Sequence, residues 1–137
     1  MRVCTTGTFD IPHMGHAVFL QQAAALGDSL DVGVLTDSFV LHYKGRTPLF
    51  SANERARLLE AAGYNVHFVS DQAAFFRDNA DIIVVGSDWA EKNYLKQINM
   101  TQHELDRLGV TVAYVPYTKG ISTSDIEHRI TAGRNPS

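Results

Sequence analysis

Two histidines close the stretch TTGTFDIPHMGH, residues 5 to 16, just after the first apolar run of the chain. His13 and His16 are three residues apart, so in the first turn of a helix they share one side and can donate to neighbouring anionic oxygens. A helix that opens near His13 also turns its free N–H groups and positive dipole end toward the same place, which binds anions before any side chain is counted. Gly15 leaves the backbone open where a phosphate would press on it. The chemistry that fits is phosphate handling. The competing account is a pair of surface histidines near a helix cap, and the position at a strand-to-helix junction weighs against it.

That junction depends on the elements around it. Apolar runs short enough to be buried strands recur at residues 2–8, 30–36, 65–69, 81–85 and 110–115, and helical periodicity at 16–26, 52–62, 71–79, 100–108 and 122–132. Strands that are apolar on nearly every residue and alternate with helices call for a parallel sheet covered on both faces, with right-handed crossovers. The fold class is α/β, a single domain over residues 1–132 with a five-stranded parallel sheet, followed by a short polar tail at 133–137. In such sheets ligands sit beyond the carboxyl ends of the strands. Chemistry is therefore expected after Thr8, Thr36, Val85 and Val115.

The piece after the second strand, residues 36–51, reads as the longest irregular stretch, and a loop of that length in a small domain is often functional. It carries Lys44 and Arg46, which are either ordinary solvated charges or the cations of an anion site. Arg55, on the next helix, either meets the ligand or pairs with a neighbouring acid. After the fourth strand, Gly86-Ser87-Asp88-Trp89 lets a ligand approach the sheet, and the Trp89 ring either stacks on a base or fills the core. After the fifth, Ser122 and Asp125 have the spacing of a capping box. The same segment equally offers a second helix N-terminus with hydroxyls at Ser122, Thr123 and Ser124. A zinc site built from His13, His16, His42 and Asp88 would leave those hydroxyls without a role.

Composition narrows the classes further. A formal charge of −3 without any Lys/Arg block argues against a nucleic-acid surface and leaves a small anionic ligand. The single cysteine, Cys4, excludes an intramolecular disulfide and a cysteine metal site. No stretch reaches the length of a membrane span, the start of the sequence has no signal-peptide layout, and the expected location is the cytoplasm.

Taken together, Thr8-Phe9-Asp10, His13-Met14-Gly15-His16, Gly86-Ser87-Asp88-Trp89 and Gly120-Ile121-Ser122-Thr123-Ser124 resemble the HxGH nucleotidyltransferases. Within them the cytidylyltransferases, and most of all the glycerol-3-phosphate cytidylyltransferases, are the most similar. The resemblance spans almost the whole chain and implies a Rossmann-like domain that transfers CMP from CTP to a small phosphorylated alcohol, releasing pyrophosphate. It implies His13, His16 and Lys44 as catalytic groups. Thr8, Phe9, Asp10, Gly15, Arg46, Arg55, Asp88, Trp89, Lys119, Gly120, Ile121, Ser122, Thr123 and Ser124 would bind the nucleotide. It further implies Mg2+ carried with the nucleotide, and a homodimer.

The chain departs from that pattern on the acceptor side. Tyr117 stands where the family has an arginine, Lys119 replaces an acidic residue, and Gly63 replaces a second arginine. The segment between Val69 and Asp81 is shorter and lacks an acceptor-binding lysine, for which Arg77 is the substitute considered alongside Lys44. Nucleotidyl transfer is thus better specified than the acceptor. The rival readings are an adenylyltransferase using ATP with a sugar phosphate or coenzyme precursor, and a nucleotide-binding module without catalysis. A flavodoxin-like flavin domain is a weaker third, since it would have no use for the two histidines.

Overall fold

In the computed structural model, which describes residues 1–10 and 14–116, five parallel strands form one sheet in the order β3-β2-β1-β4-β5. The strands are β1 (Arg2–Gly7), β2 (Ser29–Leu35), β3 (Asn65–Val69), β4 (Ile82–Gly86) and β5 (Thr111–Val115). The helices are α1 (Met14–Ala24), α2 (Asp37–Lys44), α3 (Ala52–Ala61), α4 (Gln72–Asn79), α5 (Tyr94–Ile98) and α6 (Gln102–Leu108). All five expected strands are present within a residue or two of their expected ends. The expected helix at 122–132 and the tail lie outside the described residues.

Because successive strand residues face opposite sides, the apolar runs feed two separate cores. Val3, Val32, Val34 and Val84 pack under α1 and α3 with Phe19, Leu20, Ala56 and Leu59. On the other face Cys4, Ile83 and Val85 pack with Phe75 and Phe76 of α4 and with Ile98 and Leu105 of α5 and α6. The chain winds from β1 outward to β3 on one face, then returns through α4 to the far side of β1 on the other. A reversal of direction with a single crossover hand demands that change of face. The reversal places a switch point between β1 and β4.

Two helices were not expected. The stretch 36–51 is irregular only in its second half, because α2 occupies its first. Thr36 accepts a hydrogen bond from the Phe39 amide as the N-cap, and Gly45 closes the helix at φ 76° with its N–H donating to the Leu41 carbonyl. Within α2 only Val40 is buried, so the amphipathic stripe that betrays a helix is one residue wide. Beyond β4, a 3₁₀ turn at Ser87–Glu91 leads into the single-turn α5, capped by Asn93.

At the amino end of the sheet the buried carboxylate of Asp31 is held by Asn65 Nδ2 at 2.5 Å, His67 Nε2 at 2.9 Å and Arg2 at 3.4 Å. Burial raises its pKa, but the contacts from His67 and Arg2 outweigh this and leave it below the ordinary carboxylate value. Its sheet neighbour Cys4 is fully buried, and burial first, then the Asp31 charge, push the thiol up to about 12. Iodoacetamide at pH 8 should accordingly label the native protein at least ~100-fold more slowly than the urea-unfolded chain. Labelling of the native chain at the rate of a free thiol would contradict this burial.

Candidate functional site

β1 and β4 pair only at Val3–Ile82 and Cys4–Ile83. Past those pairs the two strands separate, and the carboxyl half of β1 is left with a neighbour only on its β2 side. The buried Thr5 hydroxyl bridges the start of the gap, donating to the Val84 carbonyl at 2.7 Å. One residue on, the Thr6 hydroxyl donates to Gln72 Oε1 at 2.6 Å. The opening between the strands is the floor of a cavity of about 510 Å³ at the switch point.

The chain leaves β1 by a tight device. Phe9 adopts φ 51°, a left-handed conformation that costs a bulky residue free energy, and its ring folds back over Gly7. A Cβ on Gly7 would sit 2.8 Å from that ring, so a side chain there would force the ring to move. The buried Phe9 ring meets His16, in the first turn of α1, edge to face at 5.4 Å between centroids. His16 thus has an aromatic support as it lines the cavity. The turn also sets Asp10, whose carboxylate accepts from the Leu49 and Phe50 amides at 2.7 and 2.8 Å.

Those amides belong to the segment that follows α2, and Arg55 grips the same segment from the other side. Its side chain has no exposed surface. Nε donates to the Phe50 carbonyl at 3.0 Å, Nη1 to the Thr8 carbonyl at 2.7 Å and Nη2 to Asp37 Oδ1 at 2.7 Å. Ser51 and Glu54 form a reciprocal capping box that fixes the start of α3, on which Arg55 rides. The result is a clamp joining the end of β1, the start of α2 and the loop before α3. Lys44 and Arg46, on the clamped segment, are solvent-accessible and line the cavity opposite β1.

The expected site residues thus divide. Thr8, Phe9, Asp10, His16, Lys44, Arg46 and Trp89 line one cavity. Gly15 lies in the first turn of α1, while His13, Lys119, Gly120, Ile121, Ser122, Thr123 and Ser124 lie outside the described residues. Of the two readings of Arg55, the structure shows the pairing with a neighbouring acid: its three nitrogens donate to protein oxygens, Asp37 among them, and it is not among the residues that line the cavity. Arg77 likewise lies away from the cavity lining and pairs with Glu104 of α6 at 2.9 and 3.1 Å. Asp88 is exposed on the 3₁₀ turn and does not line the cavity.

Trp89 packs edge to face on Tyr94 at 5.5 Å, with Lys92 Nζ 5.3 Å from its ring centre. Sequence reasoning missed Gln72, Tyr43, Tyr94 and Gln97, all of which line the cavity. Asp37 in the loop of interest was visible, but nothing in its spacing marks it as the partner of a residue eighteen positions away. Among the described residues no three His, Cys, Asp or Glu side chains come together as metal ligands, and no helix is long and apolar enough to cross a membrane.

Residues 4–129 match the sequence profile described as Cytidylyltransferase-like. The chain is 35% identical over 136 residues to a glycerol-3-phosphate cytidylyltransferase from Bacillus subtilis, covering 94% of this chain and 96% of that one. It is 33% identical over 136 residues to an FAD synthase from Thermococcus kodakarensis, covering 95% and 91%. Among solved structures, the lipopolysaccharide core biosynthesis protein from Thermoplasma volcanium GSS1 superposes with a TM-score of 0.67 at 31% identity, over 87% of this chain and 97% of that one.

The clamp makes a definite demand on stability. Arg55→Met keeps the volume but strips donors from two carbonyls and from Asp37, which is half exposed and partly rehydrated. A loss of about 2–4 kcal/mol in urea unfolding is expected. Faster amide exchange at Leu49 and Phe50 should accompany it, and unchanged stability would refute the clamp.

Proposed function

Because the chain belongs to the Cytidylyltransferase-like family, we propose that it transfers CMP from CTP to a small phosphorylated alcohol, glycerol 3-phosphate or a similar one, with release of pyrophosphate. The observation that carries this reading is the convergence of His16, Lys44 and Arg46 on the cavity at the β1/β4 switch point. An acceptor phosphate oxygen attacks the α phosphorus in line, the bond from that phosphorus to the bridging oxygen breaks, and its electron pair leaves with pyrophosphate. No covalent intermediate on the protein is required. The work of the side chains is to bring two anions together and to stabilise the charge that grows on the equatorial and leaving oxygens.

In this reading His13 and His16 donate to those oxygens. Lys44 lies between acceptor phosphate and nucleotide, and Arg46 meets the outer phosphates. Thr8, Phe9, Asp10, Gly15 and Trp89, with residues 119–124, bind the remainder of the nucleotide. Asp10 acts mainly by fixing the 49–50 backbone, since both its oxygens are engaged there. Mg2+ would arrive with the nucleotide, needing few protein ligands of its own. The charge neutralisation it would supply would add to that of Lys44 and Arg46.

The similarity to an FAD synthase, a protein named for making an adenine dinucleotide, favours a second reading in which ATP replaces CTP. Pyrophosphate release from CTP and from ATP, each across a panel of phosphorylated alcohols and sugars, separates the two. Binding of nucleotide without turnover of any acceptor would favour a non-catalytic module. His16→Ala should lower kcat by about 10²–10³-fold while the nucleotide KM moves far less. A variant as fast as the wild type would remove His16 from the reaction.

A further inference from the structure

The wall of the cavity is chemically lopsided. Among the described residues its charged members, Asp10, Lys44 and Arg46, all come from the β1–α1 junction and the end of α2. The side formed by β1, α4 and the β4–α5 segment presents Thr6, Gln72, Trp89, Tyr94 and Gln97, none of them charged. The cation of α4 itself, Arg77, is committed to Glu104.

Gln72 stands out on that neutral side. It is the first residue of α4, it is only 7% exposed, and it lines the cavity. Its Oε1 accepts from the Thr6 hydroxyl at 2.6 Å, which fixes which end of the carboxamide is spent. Among the described residues no partner takes its Nε2 donors. A buried amide NH2 on a cavity wall is costly to leave dry and cheap to satisfy with a ligand oxygen.

We propose that Gln72 is a specificity-determining residue for the acceptor, its carboxamide N–H donating to a hydroxyl oxygen on the acceptor's carbon skeleton. This rests on the nucleotidyl-transfer reading above. There both phosphate groups must lie on the cationic side where they react, so the acceptor's carbons extend over the neutral side. An aliphatic skeleton would leave Nε2 desolvated and unpaired. A second phosphate or a carboxylate would lose its hydration without gaining a cation from the described residues of that side. A hydroxyl satisfies the amide and carries no charge. Thr6 is the positioning residue, since its hydroxyl holds the carboxamide in that sense.

The test is calorimetric binding of propyl phosphate, glycerol 3-phosphate and ribitol 5-phosphate to the full chain, saturated with an α,β-methylene analogue of CTP and, in parallel, of ATP. The two hydroxylated phosphates should bind about ten- to a hundred-fold more tightly than propyl phosphate. Gln72→Leu should bring that ratio close to one with the nucleotide dissociation constant unchanged, which also reports that the variant is folded. Thr6→Val, which keeps Gln72 but frees its rotation, should cut the ratio several-fold. A ratio preserved in both variants, or wild type that binds none of the three or all equally, would overturn the assignment. Turnover measured beside it separates the readings: discrimination that depends on Gln72 without turnover sinks catalysis alone, and turnover without discrimination sinks Gln72 alone.

Discussion

A guanidinium with no exposed surface, that of Arg55, holds the site in shape. Stripping such a cation of water is tolerated only when its nitrogens find oxygens and its charge finds a counter-charge. Here the Thr8 and Phe50 carbonyls and the Asp37 carboxylate meet both conditions. The three acceptors come from the end of β1, the start of α2 and the loop before α3, segments that otherwise share no ladder or helix bonds. Asp10 closes the assembly by accepting the two amides on either side of the Leu49–Phe50 peptide. Among the described residues the cations that face the cavity, Lys44 and Arg46, are therefore placed by a third that is not in its lining.

The cavity itself follows from where the strands stop pairing. β1 has β2 beside it over its whole length, but β4 for only two residues, and beyond them side-chain hydroxyls take over the role of the ladder. Thr5 keeps the gap from opening further inward, and Thr6 spans to α4. The same divergence exposes carboxyl-end backbone at the sheet centre, where Gly7 and Phe9 turn the chain toward α1. Folding back the Phe9 ring at a left-handed φ stores strain at this point, and the ring's edge contact with His16 shows what the strain supports.

The sheet was legible because every strand is a short apolar run bounded by polar residues, and β1, α1 and their junction announce themselves through TTGTFDIPHMGH. What hid were elements whose stability is local or whose partners are distant. α2 buries little beyond Val40, so periodicity is faint, although Thr36 and Gly45 mark its two ends to a reader of caps. α5 is one turn and depends on Asn93 and on packing of Tyr94 and Ile98. Sequence left Arg55 between a ligand contact and an acid partner; its burial is decided by the backbone carbonyls of Thr8 and Phe50, which carry no sequence signal. Gln72 escaped for the opposite reason, as a neutral amide at a helix start has an ordinary explanation until a cavity is seen in front of it.

Net charge and site charge pull in opposite directions, and the resolution is geometric. A chain of formal charge −3 does not attract polyanions at long range, and at physiological salt fields between exposed groups fade over about 8 Å. In the proposed reading, affinity for phosphates comes from donors within contact distance: the opening turn of α1, His16 on its aromatic support, and Lys44 and Arg46 on the cavity wall. Short-range donors work only if they hold their places before the ligand arrives, since ordering two long side chains and a loop at the moment of binding would consume much of what they contribute. The clamp at Arg55 supplies that order in advance. It acts on the backbone of the loop and leaves the Lys44 and Arg46 side chains exposed.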